Sequence, residues 1–207
     1  MNRFALPRFY PILDKEVSDR FKVGLEAAAA SILEAGARIL QFRHKGSFSR
    51  GTVETIERIA ALCRDAGALF VVNDRADIAL IVGAAVHLGQ EDLAPTAARH
   101  FVGRQAIIGY STHNERQLTA AGAEPVDYLA LGPIFETASK RNPDSVVGLE
   151  RLRLWRPLTP RPLVAIGGIT RANASSALEA GANSVAVIGD LFPNVRARAK
   201  EWIATVG

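Results

Sequence analysis

Apolar runs and helix-like segments alternate along the whole chain. A recurring phrase consists of an alanine-rich stretch, a glycine and then a run of Val, Ile or Leu, as in EAGARILQF, DAGALFVVN and EAGANSVAVIG. Glycine is the usual left-handed residue after a helix, and a continuous β-branched run is typical of a strand buried on both faces of a parallel sheet. Each phrase therefore predicts a helix followed by a parallel strand.

Eight such strands are predicted, each followed by a helix-like segment. The strands are expected at residues 8–14, 37–45, 68–74, 84–90, 105–112, 126–135, 162–168 and 184–192. The helices are expected at residues 23–36, 50–67, 76–83, 93–101, 114–122, 148–155, 170–181 and 194–206. An open sheet of five or six strands leaves two or three of these strands unexplained. The pattern therefore predicts the α/β class and a single-domain (β/α)8 TIM barrel spanning residues 1–207.

Composition narrows the functional classes. The chain is 48% hydrophobic, and its net charge of +4 is spread along the sequence, so we expect no nucleic-acid partner. The longest uncharged apolar run, residues 78–86, is too short to cross a membrane, and the start lacks the apolar stretch of a secretory signal. We expect a cytoplasmic protein with no membrane partner. Cys63, the lone cysteine, lies in a helical pattern and is expected to be a small buried hydrophobe.

Polar residues cluster where the predicted strands end, and in this type of barrel all strand ends face the catalytic side. In QFRHK, alternation along the strand places Gln41, Arg43 and Lys45 on one side. An arginine fork and a lysine charge suit a phosphate or diphosphate. The alternative is that both cations form salt bridges with neighbouring carboxylates.

Two aspartates follow adjacent strands. Asp74 ends VVND and Asp92 ends HLGQED. Mg²⁺ is commonly held by one or two carboxylates together with substrate phosphates, so the pair is a candidate metal site. Alternatively, Asp92 caps the helix that follows it. His87 and His113 lack the spacing of a zinc site and are expected to be neutral, hydrogen-bonded residues.

A second anion site is predicted after the last two strands, in AIGGIT and AVIGDLF, because glycines and helix starts often hold a phosphate there. The loop GPIFETASK adds Thr137, Ser139 and Lys140, and long loops on this face often close over ligands. Together these features suit a transferase that joins two phosphorylated substrates with loss of diphosphate.

The chain also resembles the thiamine phosphate synthase family over nearly its whole length. The matching motifs are QFRHK, NDRADIAL, HLGQED, IGYSTHN, GPIFETASK, VVGLE and VAIGGIT, in that order. The resemblance implies the same barrel and an enzyme that joins 4-amino-2-methyl-5-hydroxymethylpyrimidine diphosphate to 4-methyl-5-(2-phosphoethyl)thiazole. The products are thiamine phosphate and diphosphate, and the cofactor is Mg²⁺.

The resemblance also implies residue roles. The pyrimidine diphosphate is assigned to Gln41, Arg43, Lys45, Asn73, Ser111 and Lys140, among which Arg43, Lys45, Ser111 and Lys140 are the catalytic set. The metal is assigned to Asp74 and Asp92, and the thiazole phosphate to Thr137, Ser139, Gly168, Ile188 and Gly189. In the family, the carbon–oxygen bond is thought to ionise before the thiazole nitrogen attacks. The partners are thus two small phosphorylated substrates; the sequence indicates no oligomeric state.

The chain departs from the family pattern at three places. The segment VGAAVHLGQED is one residue shorter than usual and lacks an aspartate, at the end of the barrel far from the site. Ser139 replaces the usual threonine. Gly189 and Asp190 stand where serine and alanine are frequent, which removes a hydroxyl and adds a carboxylate near the thiazole phosphate. Two alternatives remain: a thiazole tautomerase-like isomerase, and a phosphate-binding barrel without catalysis.

Overall fold

A computed structural model describes residues 5–137 and 145–206. Eight parallel strands close into a barrel in chain order, and the last strand pairs with the first, with Phe9 opposite Val185. The strands are β1 (Phe9–Asp14), β2 (Ile39–Arg43), β3 (Leu69–Asn73), β4 (Ala85–Leu88), β5 (Ile108–Thr112), β6 (Tyr128–Leu131), β7 (Leu163–Ile166) and β8 (Ser184–Val187). The predicted (β/α)8 barrel is confirmed.

Helices connect the strands on the outside of the barrel. They are α1 (Lys15–Phe21), α2 (Leu25–Glu34), α3 (Arg50–Asp65), α4 (Ala76–Val82), α5 (Pro95–Val102), α6 (Glu115–Ala121), α7 (Gly148–Trp155), α8 (Ala174–Glu179) and α9 (Val195–Val206). Short 3₁₀ turns follow at Arg156–Leu158 and Gly189–Leu191. The predicted helices are all present, with ends shifted by a few residues.

Helix α1 is the element that the sequence pattern did not predict. It has seven residues and begins directly at the end of β1, where the Asp14 carboxylate accepts a hydrogen bond of 2.9 Å from the backbone N–H of Val17. Lys22 adopts a left-handed conformation, with φ of 54°, and ends the helix. Too short for a clear apolar stripe, α1 depends on this cap.

Alternating side chains divide the core into two layers. Tyr10 and Ile12 of β1 point into the barrel, whereas Phe9 and Leu13 face the helices. The Phe9 ring stacks on Trp202 of α9, with ring centroids 5.4 Å apart, so the last helix packs against the first strand. Because all eight strands run in the same direction around the barrel, their carboxyl ends and the polar residues there lie around one opening.

Two sequence expectations concern features outside this opening. Cys63 is fully buried in α3, and burial raises the pKa of its thiol to about 12, which confirms its role as a small core residue. Within residues 5–137 and 145–206, none of the helices combines the length and the apolar character that crossing a membrane requires.

Candidate active site

A cavity of about 700 Å³ opens at the carboxyl ends of the strands. Every predicted site residue in the described part of the chain lines it: Gln41, Arg43, Lys45, Asn73, Asp74, Asp92, Ser111, Thr137, Gly168, Ile188 and Gly189. Ser139 and Lys140 lie outside the described residues. The barrel thus gathers into one space residues that are up to 148 positions apart in the sequence, from 41 to 189.

Arg43 forms an ion pair with a buried carboxylate. Its guanidinium donates to the Asp14 carboxylate, and the two side chains are only 14% and 2% exposed. Asp14 also caps α1, so a single carboxylate fixes both the helix and the arginine. The salt-bridge alternative raised from the sequence is therefore observed. It is compatible with anion binding, because a guanidinium has five N–H donors.

Lys45 pairs with the first of the two candidate metal ligands. Its Nζ lies 2.5 Å from the Asp74 carboxylate. Asp74 has a positive φ of 65°, a conformation that aspartate tolerates better than most residues and that turns the chain from β3 into α4. The site therefore places a cation and a carboxylate in direct contact.

Asp74 and Asp92 lie side by side. Burial, together with a hydrogen bond from Asp92 and its charge, raises the pKa of Asp74 to about 6, although Lys45 opposes the shift. Two carboxylates at hydrogen-bonding distance repel each other unless a proton or a cation lies between them. Among the described residues, no group of three or more His, Cys, Asp and Glu side chains is placed to hold a metal. A metal held here therefore needs further oxygen ligands, such as substrate phosphates.

The helix-capping alternative for Asp92 is wrong. Helix α5 begins at Pro95, and its N-cap residue is Ala94, which makes no side-chain cap. The Asp92 carboxylate instead accepts a hydrogen bond of 2.6 Å from the backbone N–H of Gly89. The helix starts later than the pattern indicated because Pro95 suits its first position. Asp92 is thereby held in the turn after β4 and faces the cavity.

The unpredicted helix α1 also supports the QFRHK segment. Glu16 accepts hydrogen bonds from the backbone N–H of Lys45, at 3.0 Å, and from the His44 ring, at 2.6 Å. Burial alone raises the pKa of Glu16, but hydrogen bonds from its own backbone, from Lys45 and from His44 outweigh burial and lower it to about 2. The segment that carries Lys45 is thus tied to α1 through a charged carboxylate.

Gly167 and Gly168 allow two loops to approach each other closely. Both have positive φ, of 92° and 65°, and a Cβ atom at Gly168 overlaps the backbone oxygen of Glu136. The backbone N–H groups of Ile134 and Phe135 donate to the carbonyls of Ile166 and Gly167, at 2.9 and 3.0 Å. The glycines therefore join the loop after β7 to the segment that leads to Thr137.

The departures at Gly189 and Asp190 have a structural explanation. A Cβ atom at Gly189 meets nothing within 4 Å, so this position is open to the cavity. The Asp190 carboxylate accepts a hydrogen bond of 2.9 Å from Nε of Arg171, which neutralises the added charge. Arg171 was not among the predicted site residues, and its role depends on a contact between two loops.

Both candidate histidines are hydrogen-bonded, as predicted. Nδ1 of His113 lies 2.7 Å from the carbonyl oxygen of Gly132, and Nε2 of His87 lies 2.9 Å from Oγ of Ser111. His87 also contacts the Tyr128 hydroxyl, a buried group to which the sequence motifs assign no role. The histidines are therefore part of the site wall.

Comparison with known proteins gives the family. A family model described as "Thiamine monophosphate synthase" matches residues 9–191, which is most of the barrel. The chain belongs to this family. The resemblance stated from the motifs is thereby confirmed.

Members of the thiamine monophosphate synthase family match along nearly their whole length. The thiamine-phosphate synthase of Koribacter versatilis is 46% identical over 201 residues, which covers 96% of this chain and 95% of that protein. The thiamine-phosphate synthase of Chloroflexus aurantiacus is 36% identical over 204 residues, covering 96% and 92%. The solved thiamine phosphate pyrophosphorylase of Pyrococcus furiosus has a TM-score of 0.85 and 33% identity, covering 96% and 95%.

The shortened family segment lies at the entrance to β4, as expected from the sequence. Gly83 ends α4 with φ of 66°, and β4 begins at Ala85. The missing residue therefore belongs to the turn that enters β4, at the end of the barrel opposite the cavity. The metal candidate Asp92 follows the other end of the same strand and lines the cavity.

Proposed function

We propose that the protein is a thiamine phosphate synthase, an alkyl transferase. It transfers the pyrimidinylmethyl group of 4-amino-2-methyl-5-hydroxymethylpyrimidine diphosphate to the ring nitrogen of 4-methyl-5-(2-phosphoethyl)thiazole. The carbon–oxygen bond to diphosphate breaks, and a carbon–nitrogen bond forms. The observation that carries the proposal is the single cavity that brings Arg43, Lys45 and the two aspartates opposite Gly168 and Gly189.

The residues present fit the Mg²⁺ ion that this family uses. Mg²⁺ prefers oxygen ligands and binds through one or two carboxylates plus substrate phosphates, and Asp74 and Asp92 supply such a pair. Burial and the neighbouring Asp92 raise the pKa of Asp74, so a cation placed between the two carboxylates would favour their charged forms. When bound, the ion supplies positive charge to the departing diphosphate.

The protein's own side chains bind and orient the diphosphate. Arg43, held by Asp14, and Lys45 supply positive charge, and Gln41, Asn73 and Ser111 supply neutral hydrogen bonds. Lys140 is proposed to add a third cation. Because the developing charge is on the leaving group, prearranged donors and cations stabilise the transition state without general acid or base chemistry.

The opposite side of the cavity is proposed to hold the thiazole phosphate. Thr137 and Ser139 offer hydroxyl groups, and Gly168, Ile188 and Gly189 offer backbone donors and a close approach. Ile12, Ile166 and Ile188 line the space between the two sides. Apolar walls exclude water, so the pyrimidine cation is captured by the thiazole nitrogen and not by a water molecule.

The comparisons support neither alternative raised from the sequence, the tautomerase-like isomerase or the binding barrel without catalysis. We further propose that residues 1–207 act as one catalytic domain, with a cytoplasmic location and two small phosphorylated substrates. These assignments rest on the family and on the sequence features described above.

The proposal is tested with purified protein, both substrates and Mg²⁺, with thiamine phosphate detected as fluorescent thiochrome. Product is expected only when both substrates and the metal are present, and addition of EDTA is expected to stop its formation. Folding is verified by circular dichroism and by a cooperative melting transition. A folded protein that forms no thiamine phosphate contradicts the proposed function.

A further inference from the structure

A chain of polar side chains crosses the interior of the barrel, and most of its members line the cavity. Gln41 Nε2 lies 2.8 Å from the Tyr10 hydroxyl, which lies 2.7 Å from the Tyr128 hydroxyl. That hydroxyl lies 3.1 Å from Nδ1 of His87, whose Nε2 lies 2.9 Å from Oγ of Ser111. The chain connects two proposed diphosphate ligands, Gln41 on β2 and Ser111 on β5.

The hydrogen bond from Gln41 has a fixed direction, and the bonds between Tyr10, Tyr128 and His87 can run either way. The Gln41 amide nitrogen has protons but no available lone pair, so it donates to Tyr10. Burial raises the pKa of both tyrosines, so each hydroxyl keeps its proton. In the arrangement that we adopt, Tyr10 donates to Tyr128 and Tyr128 donates to Nδ1 of His87, which gives each hydroxyl proton an acceptor within the chain.

This direction fixes the state of the histidine. A ring nitrogen that accepts a hydrogen bond carries no proton, so a neutral His87 has its proton on Nε2. Nε2 then donates to Oγ of Ser111, and the serine's own proton is left to point towards another acceptor. Ser111 lines the cavity, where a diphosphate oxygen is such an acceptor.

We propose that Tyr10, Tyr128 and His87 are positioning residues that orient Ser111 as a hydrogen-bond donor to the departing diphosphate. The proposal rests on the synthase function and assigns roles to three residues that the motifs leave without one. None of the three donates to the substrate in this scheme; they act through Ser111.

Gly109 provides the space that the chain needs. A Cβ atom at this position on β5 overlaps both the Tyr128 hydroxyl and Nδ1 of His87. The neighbouring ring contacts are close as well, since the His87 and Tyr128 rings stack with centroids 5.5 Å apart. A residue with any side chain at 109 therefore separates the tyrosine from the histidine.

A double-mutant cycle tests the proposal. Tyr128→Phe keeps the ring that fills the barrel but removes the hydroxyl. We expect kcat/KM for the pyrimidine diphosphate to fall about ten-fold, the value of one typical hydrogen bond, with KM for the thiazole phosphate unchanged. In the Ser111→Ala background, the same substitution is expected to change kcat/KM by less than about two-fold, because coupled residues are not additive.

The matched control is Tyr110→Phe. Tyr110 lies on the same strand as Ser111, packs against the layer between the strands and the helices, and bonds through its hydroxyl to Gln90. Removing its hydroxyl leaves the chain intact, so kcat/KM is expected to stay within about two-fold of the parent. Gly109→Ala is a second test, since it keeps every donor yet is expected to reproduce the effect of Tyr128→Phe.

A spectroscopic measurement tests the same proposal without turnover. In protein with ¹⁵N-labelled histidine, the His87 signal is assigned by its loss in His87→Gln. We expect a neutral ring protonated at Nε2 in the parent, and a mixture of both tautomers in Tyr128→Phe. Protonation at Nδ1 in the parent overturns the proposal, as does an equal loss of kcat/KM with and without Ser111. A parent protein without synthase activity overturns the proposed function instead, and the tautomer is still measured.

Discussion

Replacing Asp92 separates the proposed metal role from a merely structural one. In Asp92→Ala, the backbone N–H of Gly89 loses an acceptor at 2.6 Å, which costs about 1–2 kcal/mol. The loss of a neighbouring negative charge relieves Asp74, whose pKa is raised partly by Asp92, and offsets part of this cost. We therefore expect a net loss of about 1 kcal/mol and a Tm lower by about 2–4 °C.

The expected effect on turnover is much larger. A bound Mg²⁺ contributes several kcal/mol to stabilising the departing diphosphate, and about 1.4 kcal/mol corresponds to ten-fold in rate. Losing one of two carboxylate ligands is thus expected to lower kcat/KM at ordinary Mg²⁺ by about 100-fold or more. Raised Mg²⁺ is expected to restore part of the rate, because Asp74 remains.

The assay measures thiochrome formation against Mg²⁺ concentration, with Tm from circular dichroism. Asp92→Asn serves as the closest replacement, since its amide oxygen still accepts from Gly89. The control is Asp77→Asn, which removes an exposed carboxylate that pairs with Arg75 and does not line the cavity. The metal role is refuted if Asp92→Ala lowers Tm but leaves the dependence on Mg²⁺ unchanged.

Three further results are expected. In Gly168→Ala, the residue must adopt a left-handed conformation with its Cβ against the Glu136 backbone. We expect the protein to lose about 2–5 kcal/mol of stability and its Tm to fall by about 5–15 °C, whereas the control Gly51→Ala is expected to leave Tm unchanged. Gly189→Ser adds a hydroxyl in open space, and we expect KM for the thiazole phosphate to fall up to about ten-fold with KM for the other substrate unchanged. Without divalent cations, Asp74 keeps its proton in the native state between about pH 4 and 6, whereas the unfolded chain has released it, so the free energy of unfolding falls as pH rises through this range. In a series of thermal melts over this range, Tm is expected to fall less in Asp74→Asn than in the parent.

The sequence was sufficient for the barrel because its signal is repeated. Most strands are continuous apolar runs preceded by a helix and a glycine, so errors at individual ends leave the order of elements intact. Helix α1 escaped prediction because its seven residues are too few to show an apolar stripe, and an aspartate at a strand end does not by itself indicate a cap. Asp92 was open to misinterpretation because an acidic residue before a helix is also a common cap.

Strand ends and motifs predicted which side chains line the cavity, but not how they contact one another. The pairing of Asp14 with Arg43, and of Arg171 with Asp190, joins residues from different loops, and sequence spacing carries no information about such contacts. Tyr10 and Tyr128 look like ordinary core aromatics for the same reason. Their hydroxyls meet only because β1 and β6 face each other across a closed barrel.

The contact between Lys45 and Asp74 has a thermodynamic consequence for ligand binding. While no ligand is bound, the lysine ammonium and the carboxylate compensate each other's charge. Each group therefore attracts another partner less strongly than it does alone. A divalent cation that takes the carboxylate releases the lysine for an anion, and an anion that draws the lysine away leaves the carboxylate for a cation. By linkage, each ligand must then raise the affinity for the other by the same factor. Mg²⁺ and diphosphate are thus expected to bind cooperatively, and their measured dissociation constants depend on each other's concentration.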